Sequence, residues 1–177
     1  MSPTGHFAVG LVAKRFAPKV PLGVLLLATE VIDLFFFLFL AVGVENGPPK
    51  SGPASTPWSH SLFMAMIWSA LAALLAARIY RNSRSGAVIG LLVFSHWVLD
   101  FISHPMSGGP PDLPLLFDAS PKVGLGLFSS FGGLNSLNGI VLATLFELGM
   151  LILGFVFYMR WRRMPPAGPV IGKNKEV

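Results

Sequence analysis

Residues 22–44 read LGVLLLATEVIDLFFFLFLAVGV. The stretch is long and apolar enough to cross a bilayer as a helix, which needs about 20 residues at ~1.5 Å rise each. It also carries two carboxylates, Glu30 and Asp33. An ionisable side chain in hydrocarbon is costly and turns toward a protein interior. The stretch therefore predicts a membrane span with a polar face, and the rest of the chain must supply what that face meets.

Composition agrees. The 177 residues are 53% hydrophobic and 12% charged, with mean hydropathy +0.68. Soluble domains carry roughly 25% charged residues. An ordinary water-soluble globule and a disordered chain are both excluded. Cysteine is absent, which removes disulfides, thiolate zinc sites, cysteine nucleophiles and iron–sulfur clusters from consideration.

Three further segments are apolar enough to span: Ser59–Tyr80, Ala87–Ser103 and Asn138–Arg160. With Leu22–Gly43 they predict an all-α integral membrane protein. Four transmembrane helices and a short N-terminal helix over His6–Phe16 surround a polar interior pocket. Residues 1–164 form one domain, with an outer loop over 104–137 and a disordered basic cytoplasmic tail over 165–177. The Gly/Pro/Ser-rich stretch Gly47–Pro57 reads as an outer turn.

Basic residues set the orientation. Lys14, Arg15 and Lys19 precede the first span, Arg78, Arg81 and Arg84 separate the second and third, and Arg160, Arg162, Arg163, Lys173 and Lys175 follow the fourth. The positive-inside rule then places both termini in the cytoplasm, as expected of a bacterial inner-membrane protein. No cleavable signal peptide is visible, so the first span serves as the insertion signal. Glycines Gly86, Gly90, Gly139, Gly149 and Gly154 are expected at close helix contacts.

The polar residues within the spans carry the functional signal. His96, Asp100 and His104 follow at i, i+4 and i+8, one face of a helix. Glu30 and Asp33 are at i, i+3, also one face. Glu147 lies in the fourth span, His60 opens the second and His6 opens the N-terminal segment. Counting ~1.5 Å per residue from the basic anchors puts Glu30, Asp33, His96, Asp100 and Glu147 ~16–24 Å up from the inner side. They share one slab near or beyond the midplane. His60 and His104 lie higher, ~27–30 Å up. The inner halves of the spans are almost wholly apolar, so the pocket opens outward and is closed below.

Imidazole with carboxylate is a ligand set for zinc, iron or manganese. A metal would also neutralise carboxylates that cannot all stay ionised in a low dielectric. The metal candidates are His6, His60, His96, Asp100 and His104, with zinc favoured and iron or manganese allowed. Glu30, Asp33 and Glu147 are candidates to orient ligands or act as general base. Read singly, each also has a plain role: a buried histidine as a packing residue, a membrane carboxylate as a bridge between helices.

The motifs together resemble a known family. Gly5-His6 opens an apolar segment. Thr56-Pro57-Trp58-Ser59-His60-Ser61-Leu62 leads into the second span, and Ser95-His96-Trp97-Val98-Leu99-Asp100-Phe101-Ile102-Ser103-His104 fills the third. Pro111-Asp112-Leu113-Pro114-Leu115 and Gly124-Leu125-Gly126-Leu127 follow. From Gly5 to about Glu147 the chain resembles the predicted membrane-bound metal-dependent hydrolases of YdjM type. In its scattered His/Asp pattern that family is similar to the zinc-dependent phospholipase C superfamily. The resemblance implies metal positions at His6, Asp33, His60, His96 and Asp100, with His104 extending the third motif. Two departures stand out. Glu30-Val31-Ile32-Asp33 replaces the family's Pro-Asp-x-Asp, and Ser55-Thr56 stands where a further histidine is usual.

The expected function is a membrane-embedded hydrolase that cleaves a lipid-linked or amphipathic ester or phosphoester with metal-activated water. Its partners are membrane lipid or a lipid-linked substrate. No nucleic acid is expected, and a homo-oligomer is left open. A proton- or metal-handling transporter or channel subunit is the first alternative. A structural or pigment-associated subunit is the second.

Overall fold

The computed structural model describes residues 3–46, 56–106, 109–117 and 120–164. The tail expected over 165–177 and most of the turn expected over 47–57 lie outside the described residues. Six α-helices dominate: α1 (Pro3–Ala13), α2 (Leu22–Thr29), α3 (Val31–Ala41), α4 (Leu62–Tyr80), α5 (Ser83–Ser103) and α6 (Leu137–Arg163). The protein is a mostly helical bundle. Helices α4, α5 and α6 are each long and apolar enough to cross a membrane, and the pair α2–α3 passes the same test jointly.

The expected single span over Leu22–Gly43 is corrected here. It breaks at Glu30 into α2 and α3, bent by 56°. Thr29 supplies part of the cause. Its hydroxyl donates back to the Leu26 carbonyl at 2.7 Å, a bond that bends helices. Its own carbonyl lies in the last turn of α2, where no intrahelical donor is owed to it, and it accepts from His96 Nδ1 at 2.7 Å. Glu30 takes φ −108°, ψ 3° and links the two helices. Glu30 and Asp33 therefore do not share a face of one continuous helix, as their spacing suggested.

The third span is also longer than Ala87–Ser103. Asn82 caps α5 by accepting from Ser85 N–H at 3.1 Å, so the helix starts at Ser83 and carries Arg84 within its first turn. The second begins at Leu62 rather than Ser59, because Ser61 is its cap and accepts from Met64 N–H at 3.2 Å. His60 consequently precedes the helix.

Helix α5 is the most enclosed of the long helices and packs most extensively on α4. Two glycines let them meet. A Cβ on Gly86 would lie 2.5 Å from the Ala73 carbonyl, and one on Gly90 would lie 2.8 Å from Ala73 Cβ. Helix α1 is inserted between α2, α5 and α6. Gly154 of α6 meets it so closely that a Cβ there would lie 2.8 Å from the Ala8 carbonyl. Gly149 is the exception among the glycines expected at contacts, with nothing within 4 Å. The outward faces of α4 and α6 are apolar and exposed, with Leu74, Leu145, Ile152 and Leu153 each more than 60% accessible. That is the surface hydrocarbon solvates.

The described residues between α5 and α6 include regular structure. A two-residue strand pair joins β1 (Leu113–Pro114) to β2 (Lys122–Val123), and two single 3-10 turns follow at Ser129–Phe131 and Gly133–Asn135. Leu125 N–H donates to Phe101 O, Leu127 N–H to Ile102 O, and Gly126 N–H to His104 O. These bonds satisfy carbonyls that the end of α5 leaves unpaired. Gly124, at φ +155°, is required, since a Cβ would lie 2.4 Å from the His104 carbonyl. Phe63 N–H donates to Leu115 O, so the same region is tied to the start of α4.

Gly86→Ala is expected to destabilise the protein by about 1–3 kcal/mol through overpacking. Gly149→Ala is expected to be neutral or to stabilise by up to ~1 kcal/mol through helix propensity. Thermal unfolding in detergent checks both. Equal behaviour of the two variants would contradict the α4–α5 contact described above.

Candidate metal centre

The cluster is assembled from four parts of the fold. Helix α1 brings His6, which is fully buried. The α2–α3 break brings Glu30 and Asp33. The turn before α4 brings His60. Helix α5 brings His96 and Asp100, one turn apart on its enclosed face, and ends at His104.

Asp33 Oδ1 lies 3.3 Å from His60 Nε2 and 3.4 Å from His96 Nε2. Asp100 Oδ2 lies 3.2 Å from His96 Nε2 and 3.5 Å from His60 Nε2. The other oxygen of Asp100 faces His6 Nε2 at 3.7 Å and His104 Nε2 at 4.0 Å. His6 Nδ1 is 3.7 Å from Glu30 Oε1, and its ring stacks on His96 with centroids 4.0 Å apart. All four imidazoles thus present Nε2 to the two oxygens of Asp100.

The far side of each ring determines what Nε2 offers. His96 Nδ1 contacts a backbone carbonyl, which only accepts, so Nδ1 carries the proton. His60 Nδ1 lies 2.8 Å from Ser59 Oγ, whose single proton goes to Glu45 Oε2 at 2.7 Å. Ser59 Oγ therefore accepts, and His60 Nδ1 carries the proton. His104 Nδ1 lies 3.1 and 3.2 Å from the two oxygens of Asp112, again acceptors. In the neutral rings Nε2 is then a lone pair, and it faces carboxylate lone pairs. Among the described residues, His6 Nδ1, His6 Nε2 and His96 Nε2 are buried without a hydrogen-bond partner. Such atoms cost about 1–3 kcal/mol each when left unsatisfied.

Acceptors facing acceptors make a place that a cation, a proton or a metal ion, can fill. With ligand bonds of about 2.0–2.2 Å, a tetrahedral site has edges of about 3.3–3.6 Å. The four contacts among Asp33 Oδ1, His60 Nε2, His96 Nε2 and Asp100 Oδ2 run from 3.2 to 3.5 Å. These are four of the six edges of such a site, and the donor types suit a divalent ion. The groups Asp33–His60–His96 and His6–His96–Asp100 each bring three ligand atoms within 4.8 Å of one another.

Not every expected residue joins this set. Asp33, expected to orient or act as base, stands with its Oδ1 in the first of these groups. His104 stands at the rim, partly exposed, against Asp112. Glu147, expected in the pocket, lies buried on α6 and accepts from Thr4 Oγ1 at 3.0 Å, at the α1–α6 seam. It ties down the helix that carries His6.

Four supporting groups were not foreseen as parts of the site: Glu45, Ser59 through its hydroxyl, the Thr29 carbonyl and Trp97. Trp97 Nε1 donates to the His60 carbonyl at 2.9 Å and fixes the turn. Glu45 had one legible signal. It is a carboxylate directly after a long apolar run, with no basic residue beside it.

No family model, curated protein or solved structure matches the chain.

Elemental analysis of the detergent-purified protein is expected to find zinc, iron or manganese at near-stoichiometric level. His96→Ala and Asp100→Ala are expected to remove it, with His96→Ala also lowering the unfolding temperature because the Thr29 carbonyl loses its donor. Absence of metal from the parent after reconstitution would rule out the centre.

Proposed function

We propose that the protein is a membrane-embedded metal-dependent hydrolase acting on a lipid-linked or amphipathic ester or phosphoester. Its orientation puts both termini in the cytoplasm of a bacterial inner membrane, with the pocket toward the outer side. The observation that carries the reading is the opposition of His60 and His96 lone pairs to the carboxylates of Asp33 and Asp100 at 3.2–3.5 Å. The resemblance to the YdjM-type family supports the same reading.

Asp33, His60 and His96 would hold the ion, with Asp100 beside both imidazoles, and zinc is the favoured identity for imidazole with carboxylate. A bound divalent ion supplies Lewis acidity and a nucleophile at neutral pH. The chain's own residues do the rest. Thr29 and Ser59 hold the imidazoles in orientation through Nδ1. Glu30 stands beside this set without being part of it, its Oε1 3.0 Å from Thr29 Oγ1. It serves as the proton acceptor. Asp33 and Glu30 keep partly exposed side chains, at 25% and 12%, which leaves the cluster accessible beside the helix break. A substrate anchored in the bilayer suits a site lying among apolar helices.

Zinc-loaded protein is expected to hydrolyse a member of a panel of lipid phosphoesters and carboxylic esters, and a chelator to abolish the activity. Glu30→Gln is expected to lower kcat by about 10²–10⁴-fold with the metal content unchanged. Full metal loading with no turnover across the panel would sink the hydrolase reading.

A further inference from the structure

Glu45 has no part in the chemistry above, yet it is 1% exposed. It follows the end of α3, well separated in sequence from the ligands. Its Oε1 accepts from Trp58 N–H at 2.7 Å and from Ser59 N–H at 2.8 Å. Its Oε2 accepts from Ser59 Oγ at 2.7 Å. Three donors converge on one buried carboxylate, and the third of them is also the 2.8 Å neighbour of His60 Nδ1.

A serine hydroxyl has one proton. A carboxylate cannot donate, so it draws that proton toward itself. Ser59 Oγ then has only lone pairs to offer His60, and the imidazole must keep its proton on Nδ1. The lone pair on Nε2 is left pointing at Asp33 and Asp100. We propose that Glu45 and Ser59 are positioning residues that together fix the tautomer of His60 and so aim its Nε2 lone pair into the cluster. The effect on metal affinity rests on the metal-centre reading, whereas the effect on the tautomer does not.

Glu45→Gln separates this role from simple packing. The amide oxygen still accepts from both backbone N–H groups, so the turn stays anchored. The amide nitrogen now donates to Ser59 Oγ. The serine proton is displaced toward His60 Nδ1, which must accept it, and the ring proton moves to Nε2. The near-isosteric change thus reverses the direction of two hydrogen bonds.

The test uses the full-length protein in detergent micelles, as parent, Glu45→Gln, Ser59→Ala, Ser59→Thr and the Glu45→Gln/Ser59→Ala double variant. Imidazole ¹⁵N spectra of the metal-free protein read the tautomer, with the His60 signals identified by their loss in His60→Gln. Chelator competition reads zinc affinity. The parent is expected to show Nδ1–H and Glu45→Gln to show Nε2–H. Zinc affinity is expected to fall about 10–100-fold in Glu45→Gln and in Ser59→Ala, and to return in Ser59→Thr. Without Ser59 there is nothing for residue 45 to act through, so the double variant is expected to bind zinc as Ser59→Ala does. An Nδ1–H signal in Glu45→Gln would overturn the proposal, as would an undiminished further loss in the double variant. A parent with the expected tautomer that binds no zinc would refute the metal centre and leave the relay standing.

Discussion

The bond from His96 Nδ1 to the carbonyl of Thr29 joins two helices at the place where one of them stops. A peptide carbonyl inside a membrane needs a donor, because lipid provides none. At the end of α2 that donor is a side chain from α5. The same bond commits the His96 proton to Nδ1, so the break in one helix fixes the chemistry offered by another. The bend then turns Asp33 toward His60 and His96, rather than along the axis of a straight span. Backbone satisfaction and site construction are the same event here.

Around that bond the cluster follows a single rule. Each of three imidazoles is held from behind by an acceptor: a carbonyl at His96, a hydroxyl at His60, a carboxylate at His104. Each consequently faces Asp100 with Nε2. Asp100 divides its two oxygens between two pairs of rings, His60 and His96 on one side, His6 and His104 on the other. It is the centre of the arrangement in a literal sense, which its position one turn beyond His96 on the most enclosed helix makes achievable.

Much of this was legible in the sequence because hydrocarbon leaves few choices. Charged groups in apolar runs must meet one another, so His6, Glu30, Asp33, His60, His96 and Asp100 could be gathered from composition and periodicity alone. The helical spacing of His96 and Asp100 was sufficient to place them on one face. What periodicity could not show was non-helical backbone. The break at Glu30 lies inside an uninterrupted apolar run with neither Pro nor Gly at the bend, and its causes are a Thr29 hydroxyl and a partner 67 residues away. The contact of Glu147 was hidden for a related reason. Depth along a helix could be counted, but rotation about it could not, and Glu147 faces Thr4. Glu45 escaped notice because its donors, Trp58 and Ser59, are brought to it by a turn rather than by a repeat.

The tight glycine contact of α4 with α5 bears on the order in which the molecule comes together. These helices are neighbours in sequence, joined by a connection so short that Arg81 adopts a left-handed conformation at φ 49°. Such a hairpin involves only local contacts and can form soon after its residues enter the bilayer. Helix α1 is different. It is synthesised before α6, and its seam with α6 closes only after α6 has been made. His6 therefore takes its place against His96 late in biogenesis. Completion of the cluster thus waits on α6, more than 100 residues further along the chain.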